Sequence, residues 1–105
     1  MSSAATPGFD ELIHAPLRLR ICVFLSPVQS MAFAALRDEL DVADSVLSKH
    51  LKALSDAGYV VVDKPTGQGG RPKAWVRLTK DGRRALARHL AALQELAASA
   101  AVTGS

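Results

Sequence analysis

A chain of 105 residues with an apolar share of 49% suffices for one domain with a modest core and leaves no room for a separate effector domain of ordinary size. No apolar run approaches the ~20 residues of a membrane-crossing helix. The opening Met1 to Gly8 lacks the basic and apolar regions of a signal peptide, and the one cysteine, Cys22, excludes an intramolecular disulfide or a multi-thiolate metal site, so a cytoplasmic protein is expected. The net charge of +3 is unevenly placed: residues 1–44 hold three Lys/Arg against six Asp/Glu, residues 45–105 ten against four. The second part therefore carries +6, an asymmetry suited to a polyanionic partner.

Residues 1–8 are small and turn-prone and are expected to form a disordered tail, followed by one domain over 9–98 and a second tail over 99–105. A helix is predicted to start near Phe9 or Asp10, with Asp10 and Glu11 at its positive end. Pro16 interrupts it and suits the first position of a second helix reaching Leu25, in which Leu17, Ile21, Phe24 and Leu25 make an apolar stripe. Ser26-Pro27 ends that segment. Met31 to Phe33 is read as a one-bridge strand. Ala34 to Leu40 is a helix burying Leu36 and Leu40, and about Asp44 to Ala57 is another, with Leu47, Leu51 and Leu54 on its core side. Gly58 takes the left-handed position after it.

Val60, Val61 and Val62 predict a strand, and Lys73 to Leu78 a second, with Ala74, Val76 and Leu78 on one face and Lys73, Trp75 and Arg77 on the other. Thr79 is the expected N-cap of a last helix from Lys80 to Ala98. Leu86, Leu90, Leu93 and Ala97 recur there at 4, 3, 4 spacing, a coiled-coil-like seam too short to stand alone but long enough for a dimer contact. The fold class is α+β: a winged helix-turn-helix of five helical segments with a small antiparallel β-hairpin wing.

That order of elements puts chemistry on two features. The outer face of the helix about Asp44 to Ala57 carries Ser45, Ser48, Lys49 and Lys52, with Asp44 and His50 at its margins. It offers donors and no bulky apolar group, as major-groove insertion requires. Taken alone, this pattern is better explained as the solvated face of a surface helix, which is the default for polar helix faces. The hairpin decides for nucleic acid: Thr66-Gly-Gln-Gly-Gly-Arg-Pro72 is a loop flanked by Lys64, Arg71 and Lys73, and an arginine at such a tip suits a minor groove. A nucleotide-binding reading of these glycines is weak, since no Gly-Lys-Ser/Thr follows and the next element is a strand.

Other tempting residues read as structure. Cys22 lies in an apolar helix, where a buried thiol is inert; redox sensing is the sharper alternative. His14, His50 and His89 are far apart in sequence and none is paired with a carboxylate at ligand spacing, so no metal and no cofactor is expected. Trp75 is read as partial cover for a neighbouring helix. Ser48 and His50 diverge by about 200° on one helix, and no catalytic set is visible.

Several runs together resemble small winged-helix regulators of the ArsR/MarR type. Ile13-His-Ala-Pro-Leu-Arg-Leu-Arg-Ile21 resembles their opening helix, and Asp44 to Val60 their recognition helix and its exit into the wing. Gly70-Arg-Pro-Lys73 and Leu78-Thr-Lys-Asp-Gly82 are similar to their wing tip and the start of their last helix. The resemblance covers about Phe9 to Leu96. It implies a homodimeric bacterial or archaeal transcription factor with its N- and C-terminal helices at the dimer interface, here Leu12, Ile13, Leu17, Leu86, Leu90, Leu93 and Ala97.

Two departures stand out. Ala43 occupies a position where such families often place a capping Thr or Ser, so Asp41 or Asp44 would have to substitute. No cysteine falls between Ala34 and Leu54, which argues against a thiolate metal sensor.

The expected function is sequence-specific binding of double-stranded DNA as a homodimeric repressor, with helix 44–57 in the major groove and wing 64–73 on the adjacent minor groove. The DNA-contacting residues are Ser45, Ser48, Lys49, His50, Lys52, Lys64, Arg71 and Lys73. No membrane partner is expected, and the sequence names no small-molecule effector. Two alternatives remain: a winged-helix protein-interaction module, and a ligand-gated sensor with a pocket between the N- and C-terminal helices.

Overall fold

The computed structural model describes residues 6–64 and 73–104. In chain order the elements are α1 (Glu11–His14), α2 (Pro16–Leu25), β1 (Met31–Ala32), α3 (Phe33–Leu40), α4 (Asp44–Asp56), β2 (Val60–Asp63), β3 (Trp75–Leu78) and α5 (Lys80–Gly104). The three strands form an antiparallel sheet in the order β1-β3-β2. β3 pairs with β2 from Val60↔Leu78 to Asp63↔Trp75, and with β1 at Met31↔Val76 and Ala32↔Trp75. The winged helix-turn-helix expected from the sequence is present. Residues 65–72, which hold the Gly-rich loop and Arg71, lie outside the described residues, as do 1–5 and Ser105.

Local chemistry explains most element ends. The Asp10 carboxylate accepts the Ile13 N–H at 3.1 Å and caps α1. Pro16 opens α2, where its missing N–H costs nothing. Asp41 ends α3 in the left-handed conformation at φ 56°, which Asp tolerates better than most residues, with its N–H on the Arg37 carbonyl at 2.8 Å. Gly58, at φ 82°, ends α4 in a Schellman motif: its N–H reaches Ser55 O at 2.9 Å and the Tyr59 N–H reaches Leu54 O at 2.9 Å. Thr79 caps α5 through Gly82 N–H at 2.9 Å, and its hydroxyl donates back to Gly58 O at 2.6 Å.

One capping expectation is corrected. Ala43 is the N-cap of α4 and makes no side-chain bond, yet neither neighbouring aspartate substitutes for it. Asp41 is committed to ending α3, and the Asp44 carboxylate accepts from Arg37 Nη1 at 2.8 Å.

Leu36 and Leu40 of α3, Leu47, Leu51 and Leu54 of α4, Val60, Val76 and Leu78 of the sheet, and Ile13, Ile21, Cys22, Leu25, Ala85 and Leu86 form one core. The stripe expected on α2 is rotated. Cys22 is fully buried, whereas Leu17 and Phe24 are half-buried at its edge.

The chain ends also differ from expectation. Residues 6–8 form a turn, with the Phe9 N–H on Thr6 O at 3.0 Å, and Gly8 sits at φ 88° against the Arg88 carbonyl. A Cβ there would meet that oxygen at 3.0 Å, so the close approach itself calls for glycine. At the other end α5 runs to Gly104 rather than stopping at Ala98, because Ala97, Ala98, Ala100 and Ala101 are strong helix formers. Burial along α5 stops after Ala92 and the half-buried Leu93, and its later turns project from the body. The molecule is accordingly elongated, 60 × 24 × 24 Å. No helix among the described residues is long and apolar enough to cross a membrane.

Candidate nucleic-acid interface

α4 divides its residues cleanly. Leu47, Leu51 and Leu54 face the core, and Ser45, Ser48, Lys49 and Lys52 are exposed on the other side. Arg37 bonds Asp44 Oδ1 at 2.8 Å, tying the first turn of α4 to the last turn of α3 across the connecting turn, and also bonds its neighbour Asp38 Oδ1 at 3.1 Å. Lys49 has no ion-pair partner among the described residues. Lys52 does: its ammonium lies 3.3 Å from Asp56 Oδ2, one turn along the helix. That pair is exposed on both sides and contributes at most a few tenths of a kcal/mol, about 0.3–0.5 for such i,i+4 pairs.

Between α4 and the hairpin runs an open groove of about 590 Å³. Ser48, Lys52, Ser55, Asp56 and Lys64 make its polar rim, with Phe33 and Val62 among its apolar residues. The fold thus brings Lys64 of the hairpin to the polar face of α4, as the sequence pattern suggested. Lys73, at the other base of the hairpin, is exposed and shares a second depression with Arg37 and Asp44. Ser55 and Asp56, absent from the sequence-derived set, follow Ser48 and Lys52 by seven and four positions. Extending the helical face by one more turn would have included them.

His50 occupies a different position from its neighbours. It is half-buried, and its Nδ1 lies 3.2 Å from Arg18 Nη1, while Arg18 Nε donates to the Leu12 carbonyl at 2.6 Å. Burial, then the positive charges of Arg18 and Lys49, hold the His50 pKa below the ordinary histidine value.

The seven residues expected at a dimer contact are split by the fold. Ile13 and Leu86 belong to the protomer's own core. Leu12, Leu17 and Leu93 are half-buried, and Leu90 and Ala97 are exposed. The body packs on a line of α5 offset from the predicted seam, made by Ala85, His89 and Ala92, and Leu96 continues that line beyond the body with 44% of its surface exposed. On α2, Val23 is also exposed.

Two histidines read as isolated meet in space. His89 is fully buried, its Nδ1 accepts the Asp10 N–H at 3.0 Å, and its Nε2 lies 3.2 Å from His14 Nδ1. Because an N–H can only donate, His89 carries its hydrogen on Nε2 and gives it to His14. The Phe9 ring packs on both imidazoles, at 4.8 and 4.7 Å between centroids. Asp10 also accepts the Tyr59 hydroxyl at 2.6 Å. Burial, and then His14, lower the His89 pKa. This cluster fastens α1 and the start of β2 to α5. Contacts across 75 positions have no periodic signature, so the sequence could not show them.

Among the described residues no group of three or more His, Cys, Asp or Glu is placed to hold a metal. Burial, with Asp10 adding to it, pushes the Cys22 thiol up to about 12, so it stays protonated and poorly nucleophilic. Trp75 is partly exposed on the outer face of the sheet.

A family profile described as "Winged helix DNA-binding domain" matches residues 17–97. The chain belongs to that family. This winged-helix domain is 27% identical over 86 residues to an uncharacterised protein of Methanocaldococcus jannaschii, covering 82% of this chain and 92% of that one. Among solved structures it is similar to a transcriptional regulator homologue from Pyrococcus horikoshii OT3, with a TM-score of 0.79 and 27% identity over 86% of this chain and 88% of that one. It is also similar to a possible transcriptional regulator for arsenical resistance, with a TM-score of 0.57 and 26% identity over 82% and 80% of the two chains. The ArsR/MarR-type resemblance read from the sequence is thereby established, and the chain is a winged-helix DNA-binding regulator by family.

Proposed function

We propose that the chain is a sequence-specific repressor acting as a homodimer, with α4 in the major groove and the hairpin on the adjacent minor groove. The observation that carries this reading is the division of α4: three leucines hold it to the core while Ser45, Ser48, Lys49 and Lys52 are exposed on its other side, and Lys64 lines the same groove as Ser48 and Lys52. Lysine ammonium groups are suited to phosphates and the serine hydroxyls to phosphates or base edges. Arg71, outside the described residues, is assigned to the minor groove on its sequence position alone.

Pairing of two copies is supported by α5. Leu96 lies on the body-facing line of that helix where there is no longer a body to cover it, and Leu90 is 38% exposed nearby. A second copy related by a two-fold axis covers such residues reciprocally and sets two α4 helices about one turn of DNA apart. Repression is the direct consequence of such occupancy, since a dimer seated on a promoter blocks access to it.

The test is fluorescence anisotropy on the chain's own upstream intergenic DNA against a scrambled duplex over a salt series. Tighter binding to the native fragment with a steep log–log salt slope is expected. Absence of binding to either duplex at low salt would move the reading to a protein-interaction module.

A further inference from the structure

Arg18 stands apart from the solvent-facing basic residues. It is half-buried on α2, its Nε is fixed by the Leu12 carbonyl at 2.6 Å, and its Nη1 reaches across to His50 Nδ1 at 3.2 Å. A guanidinium has no lone pair to offer, so His50 Nδ1 must be the acceptor. The imidazole is then neutral and carries its one hydrogen on Nε2. That nitrogen has no hydrogen-bond partner among the described residues. On α4 it belongs to a residue about 100° round the helix from Lys49, at the edge of the exposed face and one turn beyond the exposed Val46.

We propose that Arg18 is a positioning residue for DNA binding: it fixes His50 as an Nε2–H donor, and that donor bonds an acceptor on the nucleic acid. This inference rests on α4 being the DNA-contacting helix. A neutral N–H of fixed orientation matches the acceptors that line the major groove, such as purine N7 and guanine O6, as well as phosphate oxygens. The alternative, a charged imidazolium paired with phosphate, would put a third positive charge against Arg18 and Lys49 and give up the Arg18 bond. The low His50 pKa has the same cause. Arg18 thus does for the recognition helix what a second protein ligand does for a metal-bound histidine: it sets the tautomer, so the free nitrogen arrives ready to donate.

The test uses the full chain and the tightest duplex recovered from a randomised library. Arg18→Met and His50→Leu are each expected to weaken binding about fivefold, the worth of one hydrogen bond. His50→Gln, whose amide can accept from Arg18 and still donate, is expected to retain most of the affinity. Imidazole nitrogen NMR of the free protein should show His50 as the Nε2–H tautomer. Arg18→Met should also free His50 to titrate, so its affinity should rise between about pH 7.5 and about 5.5. Wild type and the Arg18→Met/His50→Gln double variant should not share that rise.

Lys49→Ala separates the two levels of the reading. If it weakens binding while His50→Leu binds as wild type, or if NMR finds the Nδ1–H tautomer, the positioning role is refuted and the α4 face survives. If Lys49→Ala and Lys52→Ala both bind as wild type, the face is wrong and this proposal falls with it. Should Arg18→Met fail to melt cooperatively, the His50 variants and the NMR tautomer still decide.

Discussion

Replacing Gly82 by alanine sets two well-characterised effects against each other. Gly82 lies in the first turn of α5, buried, with its N–H on Thr79 Oγ1 at 2.9 Å. Helix propensity alone predicts a gain of up to about 1 kcal/mol from Gly→Ala. The surroundings forbid it: a Cβ at this position would overlap the Tyr59 carbonyl oxygen and come within 3.0 Å of Leu78 Cδ2. That carbonyl is backbone and already accepts the Thr79 N–H at 3.0 Å, so it cannot step aside without loosening the bond that joins β2 to the start of α5. Overpacking costs about 1–3 kcal/mol. A strained or lost hydrogen bond between these half-buried residues adds about 0.5–1.5 more. Against the propensity gain, the net expectation is a loss of roughly 2–3 kcal/mol. At about 4–8 °C per kcal/mol for a domain near this size, the melting temperature should fall by roughly 10–20 °C. The assay is thermal denaturation by circular dichroism at fixed protein concentration, because a dimer's melting depends on concentration. An unchanged or raised melting temperature would refute the claim that α5 is seated this closely on the Tyr59 turn.

Other expectations can be measured together. Lys49→Ala and Arg71→Ala should each weaken DNA binding and lower the log–log salt slope by about 1, with helicity retained; unchanged affinity in both would remove the proposed face. Asp56→Asn should strengthen binding about two- to threefold, because it removes a negative charge beside the DNA and releases Lys52 from a pair worth little to the fold; weaker binding would show that the pair positions Lys52. Stability should fall as pH drops below about 6.5, since the unfolded chain then takes up a proton that buried His89 resists. The sign follows from a lowered native pKa, with stability complete above the unfolded value and lost towards the native one. Asp10, Glu11 and His14 face His89, and His50 titrates in the same direction, so the decisive comparison is His89→Gln, which should be flatter than wild type. Leu96→Glu should shift the chain towards monomer in light scattering without lowering helicity, and a monomeric wild type would dispose of the α5 pairing.

Legibility from the sequence followed the range of the interactions. Leu47, Leu51 and Leu54, the Gly58 cap and the Thr79 cap were all readable because each depends on neighbours within about one turn or on one residue's conformational preference. The alternation of Trp75 to Leu78 gave the buried face of β3 for the same reason. Aspartate roles at the turn were misassigned. Asp41 and Asp44 both looked like caps for α4, and only the left-handed backbone at Asp41 and the reach of Arg37 to Asp44 separate them. The seam on α5 was read from its leucines as a dimer contact, while the side of the helix turned to the body is made by Ala85, Leu86, His89 and Ala92, a mix of small, apolar and hydrogen-bonded residues that no single periodicity marks. His50 was read at the margin of the polar face of α4, and it lies half-buried there against Arg18 of α2. Its tautomer depended on Arg18, 32 positions away, and no local pattern carries that information.

These long-range bonds share an origin. The N-terminal segment reaches α5 through Asp10 and His14, the start of β2 through Asp10 and Tyr59, and α4 through Leu12, Arg18 and His50. None of these contacts adds much apolar area, and each is directional, so together they fix orientation more than they add stability. That division suits a DNA reader. The leucine core holds α4 and α5 in the molecule, and the polar ties determine how the exposed face of α4 is turned relative to the helix that leaves the body. In a homodimer that relation sets the spacing between two recognition helices. A change that spares the core but frees Arg18 should therefore alter DNA recognition before it alters folding.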